Sequence, residues 1–244
     1  MKLKRILPFI AFLLFINLNL AKAQNWGGGI DDEQFNWGFN FQYLSSEYKI
    51  WKTANWRTPF PALPNGYGTD SLKAISSPAS PGFAIGFVAN RKITNNLDLR
   101  ITPSLAFSDR KVLYDYVLGE PVTKKLKSTM VEFPIGLKLK SDRLMNFRTY
   151  IIGGIKYGID IASSKKTNNT NITDELLKNL LNKKNYLSYE AGVGFDIYFE
   201  YFKMSPEIKM SYAFKDLIKH EGNAFDTPID RAKLRQFTFS LFFE

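Results

Sequence analysis

Residues 97–108 read LDLRITPSLAFS, and residues 131–140 read VEFPIGLKLK. Apolar and polar side chains alternate in both stretches; Leu97, Leu99 and Ile101, for example, are separated by Asp98 and Arg100. A period of two places successive side chains on opposite faces of an extended chain, whereas a helix requires a period of 3.6. Both stretches are therefore predicted to be β-strands with one apolar face and one polar face.

Six further segments alternate in the same way. The apolar series of all eight segments occupy residues 35–43, 83–89, 97–107, 131–139, 147–159, 187–197, 204–214 and 237–243. The connections between them alternate between long ones of about 20 to 37 residues and short ones of a few residues. Regular alternation between long and short connections is typical of a barrel with long extracellular loops and short periplasmic turns.

Alternation by itself does not tell which face of a strand is buried. A soluble β-sandwich or soluble barrel also alternates, but it places the apolar face inside. The pattern of loop lengths favours the membrane barrel, as do the 21 Phe and 12 Tyr, several of which cluster near predicted periplasmic strand ends. The predicted fold is all-β: an eight-stranded antiparallel, up-and-down transmembrane β-barrel.

The N-terminus has the features of a secretory signal peptide. Lys2, Lys4 and Arg5 precede a short apolar run, and the small residues Ala21 and Ala23 frame a cleavage site before Gln24. The alternative is an uncleaved anchor helix, for which the run is short. We expect residues 1–23 to be removed after Sec-dependent export and residues 24–244 to form the barrel in the outer membrane of a Gram-negative cell envelope.

The formal charge of the whole chain is +10, and removal of the basic residues in the predicted signal peptide lowers it to +6. This mild excess comes without a nucleic-acid-binding motif, so no nucleic-acid partner is expected. Outer-membrane lipid and lipopolysaccharide are the expected anionic partners.

The polar faces of the strands carry charges of both signs. Nine of these residues are predicted to face the barrel interior: Arg100, Glu132, Lys138, Arg148, Lys156, Glu190, Asp196, Glu207 and Lys209. The interior of an eight-stranded barrel is just wide enough for side chains to fill it. We therefore expect a packed network of ion pairs that closes the barrel; the alternative is a narrow selective path.

The long loops contain the candidate interaction surface. Loop one, residues 46–80, is rich in aromatic residues, and Trp51, Trp56, Phe60 and Tyr67 are predicted either to cap the barrel mouth or to dock another protein. In the third long loop, residues 173–181 predict a short helix with Thr173 as its N-cap and acidic residues in its first turn.

Catalytic chemistry finds little support in the sequence. The chain has no Cys and one His, His220, in a loop among charged residues. Thiolate chemistry is therefore absent, and a single loop histidine does not supply the Ser/His pair that an outer-membrane acyl hydrolase needs. We expect a protein that is not an enzyme and holds no cofactor or metal.

The chain resembles the PorT (SprT) family of small outer-membrane barrels. The resemblance rests on the signal ending at a glutamine and on three strand motifs: FNWGFN at residues 35–40, VEFPIGLK at residues 131–138 and YEAGVGFD at residues 189–196. It implies a non-enzymatic outer-membrane component of the type IX secretion system, required for export of cargo with a C-terminal secretion domain and for gliding motility. Other secretion-system proteins would then be its partners.

A second hypothesis needs no secretion partner. The chain would be a stand-alone small outer-membrane barrel that serves envelope integrity, adhesion or small-solute binding.

Overall fold

The computed structural model describes residues 33–61, 69–161 and 177–244. Their main sheet is a closed ring with eight antiparallel strand positions, one of which is shared by two consecutive strands. We call each of the eight positions a stave. The staves are β1 (Phe35–Lys52), β3 (Ser80–Lys92), β4 (Leu97–Ile101) continued by β5 (Ser104–Ser108), β8 (Thr129–Lys140), β9 (Phe147–Asp160), β11 (Asn185–Tyr198), β12 (Lys203–Ala213) and β14 (Ile229–Phe243). β1 pairs with both β3 and β14, so the ring is closed. This confirms the predicted all-β, eight-stranded antiparallel barrel.

Proline interrupts one stave. Thr102 and Pro103 separate β4 from β5, because Pro103 has no amide hydrogen to donate to the sheet. The carbonyl of Pro103 still accepts a hydrogen bond from the Phe87 amide at 3.0 Å, and the Thr102 amide donates to the Pro134 carbonyl at 3.1 Å. The ring therefore stays closed across the break, and β8 runs through Pro134 without a register shift.

The barrel is apolar outside and polar inside. On β1, the outward side chains from Phe35 to Tyr43 are all aromatic and 48–71% exposed, while the intervening Asn40 and Gln42 are buried in the interior. Glu47 and Lys49 continue the outward face beyond Tyr43. The nine residues from Phe35 to Tyr43 match the 9–11 residues with which a tilted strand crosses a membrane.

Apolar side chains face outward around the whole ring. This decides between the transmembrane barrel and the soluble barrel, which strand alternation alone left open. Exposed large apolar side chains on the other staves include Phe83, Ile85, Phe87, Phe133, Ile135, Leu137, Leu139, Ile151, Ile155, Leu187, Tyr189, Val193, Phe195, Ile208, Met210, Phe237 and Phe239. A continuous apolar belt of this extent is incompatible with a monomer in water and is the surface that lipid requires.

The long loops build a second layer above one end of the ring. The strands β2 (Leu72–Ser76), β6 (Arg110–Tyr116) and β7 (Val122–Leu126) form a three-stranded sheet, and β10 (Leu181–Asn182) pairs with β13 (Ile218–Lys219). Their inward side chains join a buried apolar cluster that includes Val112, Tyr114, Leu217, Phe225 and Ile229. We call this layer the cap: it comprises β2, β6, β7, β10 and β13, together with the described loop segments that join them to one another and to the ring.

The structure corrects two expectations about the loops. Residues 46–52, predicted as the beginning of loop one, continue β1, because Ser46 still pairs with both Ser80 and Gln236. The predicted helix at residues 173–181 begins outside the described residues. Its described end is not helical from Lys178 onward, since Leu180 is buried in the apolar cluster of the cap and Leu181 begins β10.

Two glycines make room for buried tyrosines. Tyr186 lies directly opposite Gly158, where a Cβ atom would be 2.0 Å from the tyrosine ring. Tyr150 has the same relation to Gly194, at 2.5 Å. Glycine is therefore required at both positions for the tyrosines to reach across the interior to the charged residues described below.

Candidate functional site

Arg100 lies inside the barrel, near the end of the barrel where the short turns are. It is the centre of a cluster of buried charges. Its guanidinium donates to Glu207 at 2.9 Å, to Glu244 at 3.0 Å and to the side-chain oxygen of Asn90 at 2.8 Å. The ring of Phe242 lies 4.6 Å from the guanidinium carbon, which adds a cation–π contact. Arg100 and both carboxylates are almost fully buried, so this is a desolvated and hydrogen-bonded cluster.

Further ion pairs surround this cluster at the same end. Lys138 reaches both carboxylate oxygens of Asp196, at 2.7 and 2.8 Å, and the Ser205 hydroxyl donates to the same group at 2.6 Å. Lys140 pairs with Asp98 at 2.7 Å, and Lys203 pairs with Glu244. Charges of opposite sign thus offset one another across the interior at this end of the barrel.

A second tier crosses the middle of the interior. Lys156 donates to Glu132 at 3.1 Å, and the Tyr186 hydroxyl donates to the other oxygen of Glu132 at 2.6 Å. Lys209 pairs with Glu190 at 3.1 Å and lies 3.4 Å from Glu207, which joins this tier to the Arg100 cluster. Every oxygen of Glu132 therefore has a donor, as a buried carboxylate requires.

The structure places all nine of the predicted interior charges in the barrel. Eight of them form the ion pairs above, and Arg148 lies at the end of the short turns with its guanidinium 5.8 Å from the Tyr198 ring. Sequence reasoning left out Asp98, Lys140, Lys203 and Glu244, which complete the network. Strand alternation predicts an inward side chain at all four positions, because each is separated by an even number of residues from an interior residue on its own stave.

The interior leaves little free space. The cavity between Asn90, Asp98, Lys140 and Arg148 at the mouth with the short turns has a volume of about 10 Å³, room for roughly one water molecule. Above the second tier, the apolar cluster of the cap covers the opposite mouth. We therefore expect the barrel to be a plugged cylinder rather than a channel.

A plugged cylinder predicts that the purified protein conducts no measurable ion current. In planar lipid bilayers we expect the conductance to stay at the level of a protein-free membrane, with a wide porin in the same bilayer as the positive control. Steady single-channel steps from the purified protein would contradict the plug.

The four aromatic residues of the predicted docking loop lie in different places. Trp51 is on the outer wall, on β1 opposite Arg231. Trp56 and Phe60 are half-buried and pack against the apolar cluster of the cap. Tyr67 lies outside the described residues. Lys52 and Arg57 contact the Trp56 ring, with the Lys52 ammonium at 3.9 Å and the Arg57 guanidinium at 5.0 Å.

The cap also has an open pocket beside Trp56. It is about 370 Å³ in volume, and its lining includes Trp56, Pro59, Phe60, Leu72 and Pro228. This volume falls within the range of small-molecule sites, and the lining is mostly apolar, as in such sites.

His220 lies in the cap and makes a structural contact. Its ring nitrogen is 3.2 Å from Asp216, whose carboxylate also accepts the amides of Ile218 and Ala232 and the ammonium of Lys183. These donors keep the pKa of Asp216 below its usual value although burial acts in the opposite direction. The described residues contain no cluster of three His, Asp or Glu that could bind a metal, and no helix long and apolar enough to span a membrane.

The comparisons with known proteins come from a family model and from solved structures. The model of the family described as "Outer membrane protein beta-barrel domain" matches residues 11–219. No curated protein matches the sequence significantly.

The chain is similar in structure to several small outer-membrane barrels. Neisserial surface protein A is 8% identical with a TM-score of 0.39, over 86% of this chain and 98% of that one. The attachment invasion locus protein Ail of Yersinia pestis, solved with the heparin analogue sucrose octasulfate, is 12% identical with a TM-score of 0.36, over 86% and 99%. AlkL, solved in lipid bilayers, is 14% identical with a TM-score of 0.38, over 86% and 87%.

Proposed function

We propose that this chain, which belongs to the outer membrane protein beta-barrel domain family, is a non-enzymatic outer-membrane component required for type IX secretion of cargo with a C-terminal secretion domain. We further propose that residues 1–23 direct Sec-dependent export and are then removed. The resemblance to the PorT family supports both the secretion role and a role in gliding motility.

The observation that carries the proposal is the filled interior. A barrel whose lumen is occupied by buried ion pairs such as Arg100–Glu207 and Lys156–Glu132 does not pass a protein through its own centre. Its contribution to export then lies in its surfaces, as an accessory that holds or orients other components. An accessory of this kind needs a docking surface that stays available while the barrel is embedded in lipid.

The cap supplies such a surface. Arg57, Thr58 and Pro59 are exposed beside the half-buried Trp56, which fixes this segment on the apolar cluster. Aromatic and arginine side chains on an ordered support are the groups that contribute most to protein–protein affinity. We propose residues 53–61 as the docking segment of the cap.

Deletion of the gene tests the proposal. We expect export of cargo with a C-terminal secretion domain, and spreading on agar in gliding species, to be abolished, while the permeability of the outer membrane to small antibiotics changes little. The measurements are immunoblots of cargo in culture supernatants and colony spreading. Normal secretion in the deletion strain would refute the secretion role.

Complementation separates docking from folding. The deletion strain would receive wild-type protein, the variant Arg57→Glu, or the matched control Lys219→Glu, which places the same charge change on another exposed side chain of the cap. We expect Arg57→Glu to reduce secretion at unchanged protein level and the control to restore it fully. Equal restoration by both would place docking elsewhere on the barrel.

The pocket beside Trp56 favours a second candidate, a stand-alone barrel that binds a small solute or serves adhesion. In that case Trp56→Ala would abolish binding or adhesion, and the deletion strain would secrete its cargo normally. The deletion experiment above therefore discriminates between the two candidates.

A further inference from the structure

The outer wall has a basic patch where β1 and β14 rise above the apolar belt. The outward pairs in order are Ser45–Phe237, Glu47–Arg235, Lys49–Lys233 and Trp51–Arg231. Glu47 and Arg235 form an ion pair that marks the end of the belt. The next two tiers carry Lys49, Lys233 and Arg231 around Trp51, and we call these four residues the wall patch.

Within the described residues, the wall patch places like charges together without an ion-pair partner for each. Lys49 and Lys233 are directly opposite one another across the strand pair, an arrangement that is destabilising unless something offsets it. Lys49, Arg231 and Lys233 all lie 5.7–5.8 Å from the Trp51 ring. Asp230 is 3.0 Å from Arg231 and offsets one of the three positive charges, so the patch keeps a net positive charge.

The position of the patch identifies the partner that would offset it. The strands are tilted by about 40° and rise about 3.3 Å per residue. Lys49 and Lys233, four residues beyond Ser45 and Phe237, therefore lie about 10 Å above the last apolar tier, and Trp51 and Arg231, six residues beyond, lie about 15 Å above it. The polar headgroup layer begins at the edge of the hydrocarbon and is about 5–8 Å thick on each side. The lysine side chains, at the lower of these two heights, can extend their charged ends down into the headgroups.

We propose that the wall patch binds the phosphate groups of a phosphorylated glycolipid in the outer leaflet. The two lysines supply donors that phosphate oxygens accept, and Arg231 and the indole of Trp51, one tier higher, face the sugars of the same glycolipid. The bound phosphate offsets the repulsion between Lys49 and Lys233. The proposal rests on the outer-membrane location and on extracellular placement of the cap, and it is independent of the secretion role.

Lipid A with two phosphates is the probe, and its fully dephosphorylated form is the comparison. The folded full-length protein in phosphatidylcholine nanodiscs would be titrated with each, and the Kd read from the fluorescence change and from native mass spectrometry. We expect the double variant Lys49→Gln/Lys233→Gln to bind diphosphoryl lipid A at least tenfold more weakly than the wild type. Lys49→Arg/Lys233→Arg should restore the affinity.

The matched control is Lys111→Gln/Lys125→Gln. These two lysines are also directly opposite across a strand pair, but they belong to β6 and β7 of the cap rather than to the ring. We expect this control to bind lipid A like the wild type. In phosphatidylcholine without lipid A, the Lys49→Gln/Lys233→Gln variant should resist urea at least as well as the wild type, because the repulsion has been removed.

Several results would overturn the proposal. One is an unchanged Kd in the Lys49→Gln/Lys233→Gln variant, and another is an equal loss in the Lys111→Gln/Lys125→Gln control. A third is equal binding of dephosphorylated lipid A, which would show that acyl chains are recognised instead. A fourth is a dimer that cross-links at this face in the wild type and is lost in the Lys49→Gln/Lys233→Gln variant. The patch would then bind a second copy of the chain. Loss of secretion has no bearing on these readouts, so the two proposals fail separately.

Discussion

Replacing Arg100 with methionine is expected to lower the free energy of unfolding of the barrel by about 3–5 kcal/mol. The substitution keeps most of the side-chain volume but removes the donors to Glu207, Glu244 and Asn90. Two buried carboxylates then lose a cationic partner in a part of the barrel that water does not reach. Breaking one side of a buried ionic cluster costs more than the cluster contributes, because the remaining charges stay desolvated.

The expected change is measured as the urea midpoint in lipid vesicles, with the mobility of the unheated protein on gels as the readout of folded barrel. A double variant, Arg100→Met with Glu207→Gln, should be more stable than the single variant, since it removes one of the two carboxylates that lose Arg100. It leaves Glu244 paired with Lys203 and Lys209 paired with Glu190. Lys219→Met, which breaks an exposed ion pair with Glu221, should change stability by about 0.5 kcal/mol or less. A double variant less stable than Arg100→Met would contradict the explanation by stranded charge.

The second large effect is expected on the lipid face. Val193 is 54% exposed and lies between Ile151 and Ile208 on the neighbouring staves, so an arginine placed there has no partner within the belt. Val193→Arg should cost about 2–4 kcal/mol, the range for a basic residue near the bilayer midplane of a barrel. Phe133→Arg, on the outward face of β8, should behave in the same way.

Matched controls distinguish charge on the lipid face from general damage to the sheet. Phe133→Leu keeps the site apolar and should cost far less than Phe133→Arg. Ser104→Ala changes an inward position opposite Glu132, where the hydroxyl has no hydrogen-bond partner within the described residues, and should be nearly neutral. Gly136 is a poorer control, because a Cβ atom there would lie 3.2 Å from the Gly153 carbonyl oxygen. Equal tolerance of arginine on both faces would refute the assignment of outward and inward residues.

Much of the ring could be predicted because the alternation of a strand is a local property. The backbone turns successive side chains to opposite faces, so a stretch such as residues 131–140 specifies both its strand and its two sets of side chains. The eight staves all coincide with segments that alternate in the sequence. The interior charges followed from the same rule, and the residues left out of the network, such as Lys203 and Glu244, continue that rule to the strand ends.

A capping role was one of the two predictions for loop one, but the strands of the cap were not predicted. β2 and β7 have five residues each, too few for a periodic signal. Both are formed by pairing with β6, from which β2 is separated in the chain by β3, β4 and β5. The leucines of residues 173–181 predicted a helix for the same reason: a short apolar series has no period that is independent of its surroundings. Packing on the apolar cluster decided that Leu180 is buried and that Leu181 pairs with Lys219.

The sequence by itself determined that this chain makes eight two-faced strands, and which residues share a face. Alternation alone left open whether the polar or the apolar face lies inside; the loop lengths predicted an apolar outer face, and the exposed apolar belt confirms it. Which charge meets which was decided only in the closed ring. Register between strands distant in the chain sets Arg100 against Glu207 and Glu244, and Lys49 against Lys233. The physical reason is that alternation depends on the geometry of neighbouring residues, whereas register and facing depend on pairing across the whole chain and on the solvent that each face meets.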